Sequence, residues 1–214
     1  MSWHLEKVEM ETMLCTMEKL TPQTSKSKQR HPYTPNFIGA LSHHLDLTNP
    51  LDAAVYACLT ACFYASAHLG EFTVRWLDGF DPKKHVTCRC LLQDQDCNRL
   101  KVSVLHLPST KMAQMEGKDV FWAQQDGPTN PDAAMANHLA INNPPEGHHL
   151  FSYEHQKGNK IAWLPLTKMK FLEWVKKAAI AAKLNPLQGH GICIGLTLEY
   201  LLQGVPFDIM KSKG

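Results

Sequence analysis

The sequence predicts a mixed α+β domain, mainly helical, around a small three-stranded antiparallel meander. Three observations carry that reading. Thr34-Pro35 and Asn49-Pro50 each place a proline directly after a capping side chain, which is how a helix opens. The second opening leads into residues 51–67, which carry no charge after Asp52, the pattern of a helix buried nearly all round. Beyond it the apolar period shortens to two, in short runs separated by polar turns.

Each element follows in order. Leu5, Val8, Met13, Leu14, Met17 and Leu20 have helical spacing, so residues 3–20 are expected to be helical. Residues 21–30 (TPQTSKSKQR) contain no aliphatic side chain and read as an exposed linker, with a domain boundary after residue 30. Phe37, Ile38, Leu41 and Leu45 give the first helix of the main domain its apolar face. Strands are expected at 86–92, at 100–107 with Leu100, Val102 and Val104 alternating, and at 120–123. Pro131 opens a helix to about residue 141, ended by Asn143-Pro144-Pro145. Thr167 caps a helix over 168–183 with Met169, Leu172, Val175 and Ala179 on one face. Residues 189–214 read as two short helices split near Gly204.

Composition narrows the function classes. The longest uncharged apolar stretch, residues 53–67, falls short of the ~20 residues that cross a bilayer, so no membrane partner is expected. His4, Glu6 and Glu9 interrupt any apolar leader, and the protein is expected to be intracellular, with its seven Cys reduced. The formal charge is +2, from 22 Lys plus Arg against 20 Asp plus Glu. Only four of those cations are Arg: Arg30, Arg75, Arg89 and Arg99. The strong basic signature of many nucleic-acid binders is absent.

Three stretches could carry chemistry. The sequence Ala67-His68-Leu69-Gly70-Glu71-Phe72 follows the buried helix. Leu107-Pro108-Ser109-Thr110-Lys111 ends a strand in a turn with a lone lysine. Gly189-His190-Gly191-Ile192-Cys193-Ile194-Gly195 opens a helix, with Leu201-Leu202-Gln203-Gly204-Val205-Pro206-Phe207-Asp208 beyond it. Their order and spacing resemble the catalytic domain of tyrosine recombinases, particularly the integrase-like recombinases encoded by DIRS-type retroelements of fungi. Intervening phrases fit the same pattern, among them Phe80-Asp81-Pro82, Asp119-Val120-Phe121-Trp122 and Gln125-Asp126-Gly127-Pro128-Thr129.

The resemblance implies a DNA ligand, a nuclear location, helices packed around a small antiparallel sheet, and residues 1–30 as the tail of a helical core-binding domain plus linker, with residues 31–214 as the catalytic-like domain. In that family a tyrosine hydroxyl attacks a DNA phosphodiester without metal or cofactor. Two Arg stabilise the phosphorane, and a Lys and a His move protons. The Lys falls on Lys111 and the His on His190, whereas the two Arg positions fall on His68 and Cys193. The family motif continues past the final Gly with Arg-Trp and a helix bearing the nucleophile, so the domain is expected to be truncated as well as degenerate, and inactive in strand cleavage. His68, Lys111, His190 and Cys193 are expected to converge on one pocket. Leu198, Leu202, Phe207 and Met210 are expected to be partly uncovered, which favours self-association.

Lys26, Lys28, Arg30, Lys168 and Lys170 are the candidate phosphate contacts, and with so little net charge DNA affinity is expected to be low and salt-dependent. Tyr200, beside Leu198 and Leu201, reads as a packing residue. Cys193, between Ile192 and Ile194, reads as a small buried thiol, and Cys58 and Cys62, sharing a helix face, as core. The spacing of Cys88, Cys90, Cys97 and His85 fits no common zinc finger, and no metal site is expected. The pairs His43-His44 and His148-His149 read as surface. The rival to a recombinase descendant is an interaction module, or a decayed gene product, without a role on DNA.

Overall fold

In the computed structural model the Thr34 hydroxyl accepts from the N–H of Phe37, and Pro35 takes the first position of helix α1 (Pro35–Ser42). Asn49 accepts from the N–H groups of Leu51 and Asp52 to start α2 (Pro50–Tyr64). These side-chain oxygens satisfy donors that the first helical turn cannot pair internally. The structure describes residue 16 and residues 31–95, 99–110, 113, 116–158 and 160–205. The chain divides into two compact units, Met1–Arg30 and His31–Gly214. Apart from Thr16, the expected helix at 3–20 and the linker lie outside the described residues, as does the second of the two C-terminal helices.

Helix α2 is the spine of the main unit, with residues 53–64 all buried. Fully burying a Val, Leu or Phe side chain contributes roughly 1.5–3 kcal/mol, so Val55, Leu59 and Phe63, each 0% exposed, are major anchors. A short helix, α3 (Leu69–Phe72), follows. Strands β1 (Leu91–Gln95), β2 (Lys101–Leu107) and β3 (Lys118–Ala123) form the antiparallel sheet in the order β1-β2-β3. Helix α4 (Pro131–Asn142) packs along α2, and hairpin β4 (Tyr153–Lys157) with β5 (Lys160–Leu164) leads to α5 (Lys168–Ala181) and α6 (Gly191–Leu202).

The structure departs from several sequence expectations. On β2 the buried positions are Ser103, Leu105 and Leu107, one residue out of phase with the expected Leu100, Val102 and Val104. A one-residue slip exchanges the faces of a strand, and a polar contact secures this register. The Ser103 hydroxyl donates to Asp132 Oδ1 at 2.6 Å, the same oxygen that accepts from Trp122 Nε1–H at 2.9 Å. Residues 88–90 form a 3₁₀ turn, not strand, so β1 starts only at Leu91. On α5 the buried side chains are Phe171, Val175, Ala178 and Ala179, while Met169 is exposed.

His149 is not a surface residue but fully buried, with its Nδ1 accepting from the Phe151 N–H. Its Nε2 has no hydrogen-bond partner, and the ring stands edge-on to Phe80. Burial drives its pKa down to about 3. His138, also fully buried, is driven down to about 4 for the same reason. The His138 Nε2–H donates to the Leu150 carbonyl and Nδ1 accepts from Asn142 Nδ2. Asn142 also donates to the Pro50 carbonyl and accepts from the Glu154 N–H, tying α4 to the start of α2 and to β4.

Candidate functional site

The chain leaves α2 through Ser66, whose φ of 52° lies in the left-handed region, and the reversal delivers His68 to the start of α3. There the Glu71 carboxylate reaches back to accept from the His68 N–H at 3.0 Å. His190 directly precedes α6 and Cys193 lies in its first turn, three residues apart and therefore on one face.

Close backbone approach holds α6 in place. The Tyr33 N–H donates to the Gly191 carbonyl at 3.0 Å, and the Tyr33 hydroxyl donates to the Leu187 carbonyl. A Cβ on Gly191 would meet the His31 carbonyl oxygen, and one on Gly195 would run into the Tyr33 carbonyl and the Phe63 ring. Only hydrogen at these two positions lets α6 settle against Tyr33 and α2.

Two helix starts thus bring His68, His190 and Cys193 together, with one ligand-type atom from each lying within 4.8 Å of the others. Cys193 Sγ is 3.7 Å from His68 Nδ1 and donates to the His190 carbonyl at 3.4 Å. The two imidazole rings lie nearly parallel, 6.0 Å apart between centroids. Cys193 is part-buried, not fully buried as expected, and both histidines are exposed. Burial first, and the Glu71 carboxylate to a smaller extent, pushes the Cys193 thiol above its ordinary value, so it is neutral at physiological pH. The trio itself holds no guanidinium or ammonium, unlike a site built from two arginines.

His68 also lines an open cleft of about 690 Å³ with Gly70, Glu71, Asp81, Lys83, Lys84, His85, Ser109 and Thr110. A more apolar groove of about 510 Å³ adjoins it at Gly70 and includes Arg75, Trp76 and Lys168. Sequence reasoning missed Lys83, Lys84 and Arg75; the first two stand in Asp81-Pro82-Lys83-Lys84-His85, a basic turn that signalled them. Lys168 lies at the groove, whereas the Lys170 ammonium contacts Glu173 at 3.2 Å and sits 4.7 Å from the Trp174 ring centroid. Lys111, Lys26, Lys28 and Arg30 lie outside the described residues. Tyr200 is half-buried and packs against the core.

The expected absence of a metal site meets one qualifying cluster among the described residues, this trio. The other thiols are engaged or buried: Cys88 Sγ donates to the Pro144 carbonyl, Cys90 Sγ contacts Thr87, and Cys58 and Cys62 are core. Cys15 and Cys97 lie outside the described residues.

No family model and no curated protein matches the chain. Solved structures do. The chain is similar to a Flpe–Holliday junction complex, with a TM-score of 0.53 and 12% identity over 96% of this chain and 50% of that one. A FLP recombinase–Holliday junction complex gives a TM-score of 0.51 at 12% identity, over 96% and 51% of the two chains. The chain spans about half the length of these neighbours. The fold is that of a tyrosine-recombinase catalytic domain.

Proposed function

We propose that this chain is a DNA-binding protein of tyrosine-recombinase descent, derived from a fungal mobile element of the DIRS type, that acts in the nucleus without cutting DNA. The trio carries the reading: His68, His190 and Cys193 stand together at the positions where the resemblance implies Arg, His and Arg. Guanidinium is always charged and presents a planar fork of donors that matches phosphate, whereas a neutral imidazole has one N–H and a thiol is a weak donor. Losing one preorganised donor lowers the rate by about 10²–10³, so losing two suppresses strand cleavage by roughly 10⁴ or more.

The FLP structures are Holliday junction complexes, and a fold shared over 96% of this chain supports a DNA ligand of that class. Lys83 and Lys84 in the cleft, with Arg75 and Lys168 in the adjoining groove, supply cations for a phosphate backbone. Lys111, next to Thr110 in the chain, and His190 keep the family's proton-transfer positions. Lys26, Lys28 and Arg30 add phosphate contacts, whereas Lys170 is taken up by Glu173 and Trp174. With a net charge of +2, binding is weak and strongly salt-dependent. A nicked suicide duplex tests the reading: retention of the DNA with no covalent protein adduct is expected, and a phosphotyrosyl adduct on Tyr200 or any other tyrosine contradicts it.

A second reading, self-association, is favoured by α6. Ile194, Leu198, Leu201 and Leu202 are 37%, 36%, 48% and 75% exposed and fall within one sector of the helix. Sedimentation velocity should show concentration-dependent association that Leu198→Glu weakens; a monodisperse monomer at every concentration rejects it.

A further inference from the structure

We propose that His68, His190 and Cys193 form a zinc site with its fourth position open. The donor set is the first argument. One thiolate with two imidazoles suits a borderline-soft divalent ion such as zinc. The second argument is distance. A tetrahedral zinc with Zn–N ≈ 2.0–2.1 Å and Zn–S ≈ 2.3 Å separates its ligand atoms by roughly 3.3–3.7 Å, and Cys193 Sγ already lies 3.7 Å from His68 Nδ1. All three ligand atoms lie within 4.8 Å of one another, and both histidines are exposed, so small side-chain rotations bring the set toward tetrahedral spacing.

The scaffold is the third argument. His190 and Cys193 are presented by the first turn of α6, which is locked against Tyr33 at Gly191 and Gly195. The Glu71 carboxylate accepts from the His68 backbone N–H and so fixes the backbone from which the His68 side chain projects. Three protein ligands leave one coordination position, for water or an anion from the cleft that His68 lines. The site depends on these donors alone and goes beyond the DNA reading.

The test uses the full chain, reduced with a non-chelating phosphine and titrated with cobalt(II) and then zinc. One cobalt per chain should bind, with a thiolate-to-cobalt charge-transfer band and the visible spectrum of a tetrahedral ion, both displaced by zinc. Cys193→Ser should abolish the charge-transfer band. His68→Ala and His190→Ala, on exposed positions that leave the far-ultraviolet circular dichroism unchanged, should each weaken cobalt binding at least tenfold. Cys88→Ser should behave as the wild type. Absence of the band in the wild type, its survival in Cys193→Ser, or its loss in Cys88→Ser would overturn the proposal.

Discussion

Cys193 Sγ lies 3.7 Å from His68 Nδ1 although 125 positions separate the two residues in the chain. The contact joins the start of α3 to the start of α6, so an ion bridging the pair stabilises the folded state by linkage. At a free zinc concentration 100 times its Kd that is about 2.7 kcal/mol, and in a chain of this size roughly 5–10 °C in melting temperature. Thermal denaturation should show this rise with zinc, its reversal by a chelator, and its loss in Cys193→Ser and in His68→Ala.

Gly195→Ala should destabilise the protein by about 3 kcal/mol or more. Its Cβ would run into the Tyr33 carbonyl and the Phe63 ring, both fully buried in the core. Gly70→Ala is the control, because a Cβ there meets nothing within 4 Å. Urea denaturation of the two variants, with cobalt binding as a second readout, should show loss of both stability and metal affinity in Gly195→Ala alone.

Stability should fall in mild acid. The pKa values of His138 and His149 are held down to about 4 and about 3 by burial, against an ordinary value near 6.5. Between those limits the unfolded chain binds more protons than the folded one, so stability is fully present above about pH 6.5 and is lost as pH falls. Each histidine contributes a slope of roughly 1 kcal/mol per pH unit. Melting temperature measured from pH 8 to pH 4.5 should hold steady and then drop, and His149→Asn, which keeps an acceptor for the Phe151 N–H, should make the drop about half as steep.

The helix starts at Pro35, Pro50, Pro131 and Lys168 were legible because each depends on a local cap: Thr34, Asn49, Asn130 and Thr167 all accept from N–H groups within three residues. The buried spine was legible from its lack of charge. The phase of β2 was not, because it is set by Asp132 on another element accepting from Ser103, which makes a serine the inward residue. The hairpin β4–β5 also escaped, since its strands show no apolar alternation. Its one signal was Gly158-Asn159, a two-residue turn type. His149 read as surface because two adjacent histidines cannot face one metal from a regular helix, while its burial comes with packing on the distant Phe80 as well as the nearby Phe151. The pocket residues were legible as a set only through resemblance. No spacing rule links His68 to Cys193, and their suitability for a metal appears only when α3 and α6 are placed side by side.

Salt dependence of duplex DNA binding reads the phosphate site most directly. Each phosphate that a cation neutralises adds about −0.9 to the slope of log K against log salt. Replacing His68 and Cys193 together by Arg returns two guanidiniums to the pocket. The His68→Arg/Cys193→Arg chain should therefore bind duplex more tightly at low salt, with a slope steeper than the wild type by roughly 1–2. His43→Arg/His44→Arg adds the same charge at two exposed positions outside both the cleft and the adjoining groove, and should change the slope far less. Equal slopes for the two double variants, or no steepening in the pocket variant, would contradict a DNA backbone lying against His68, His190 and Cys193.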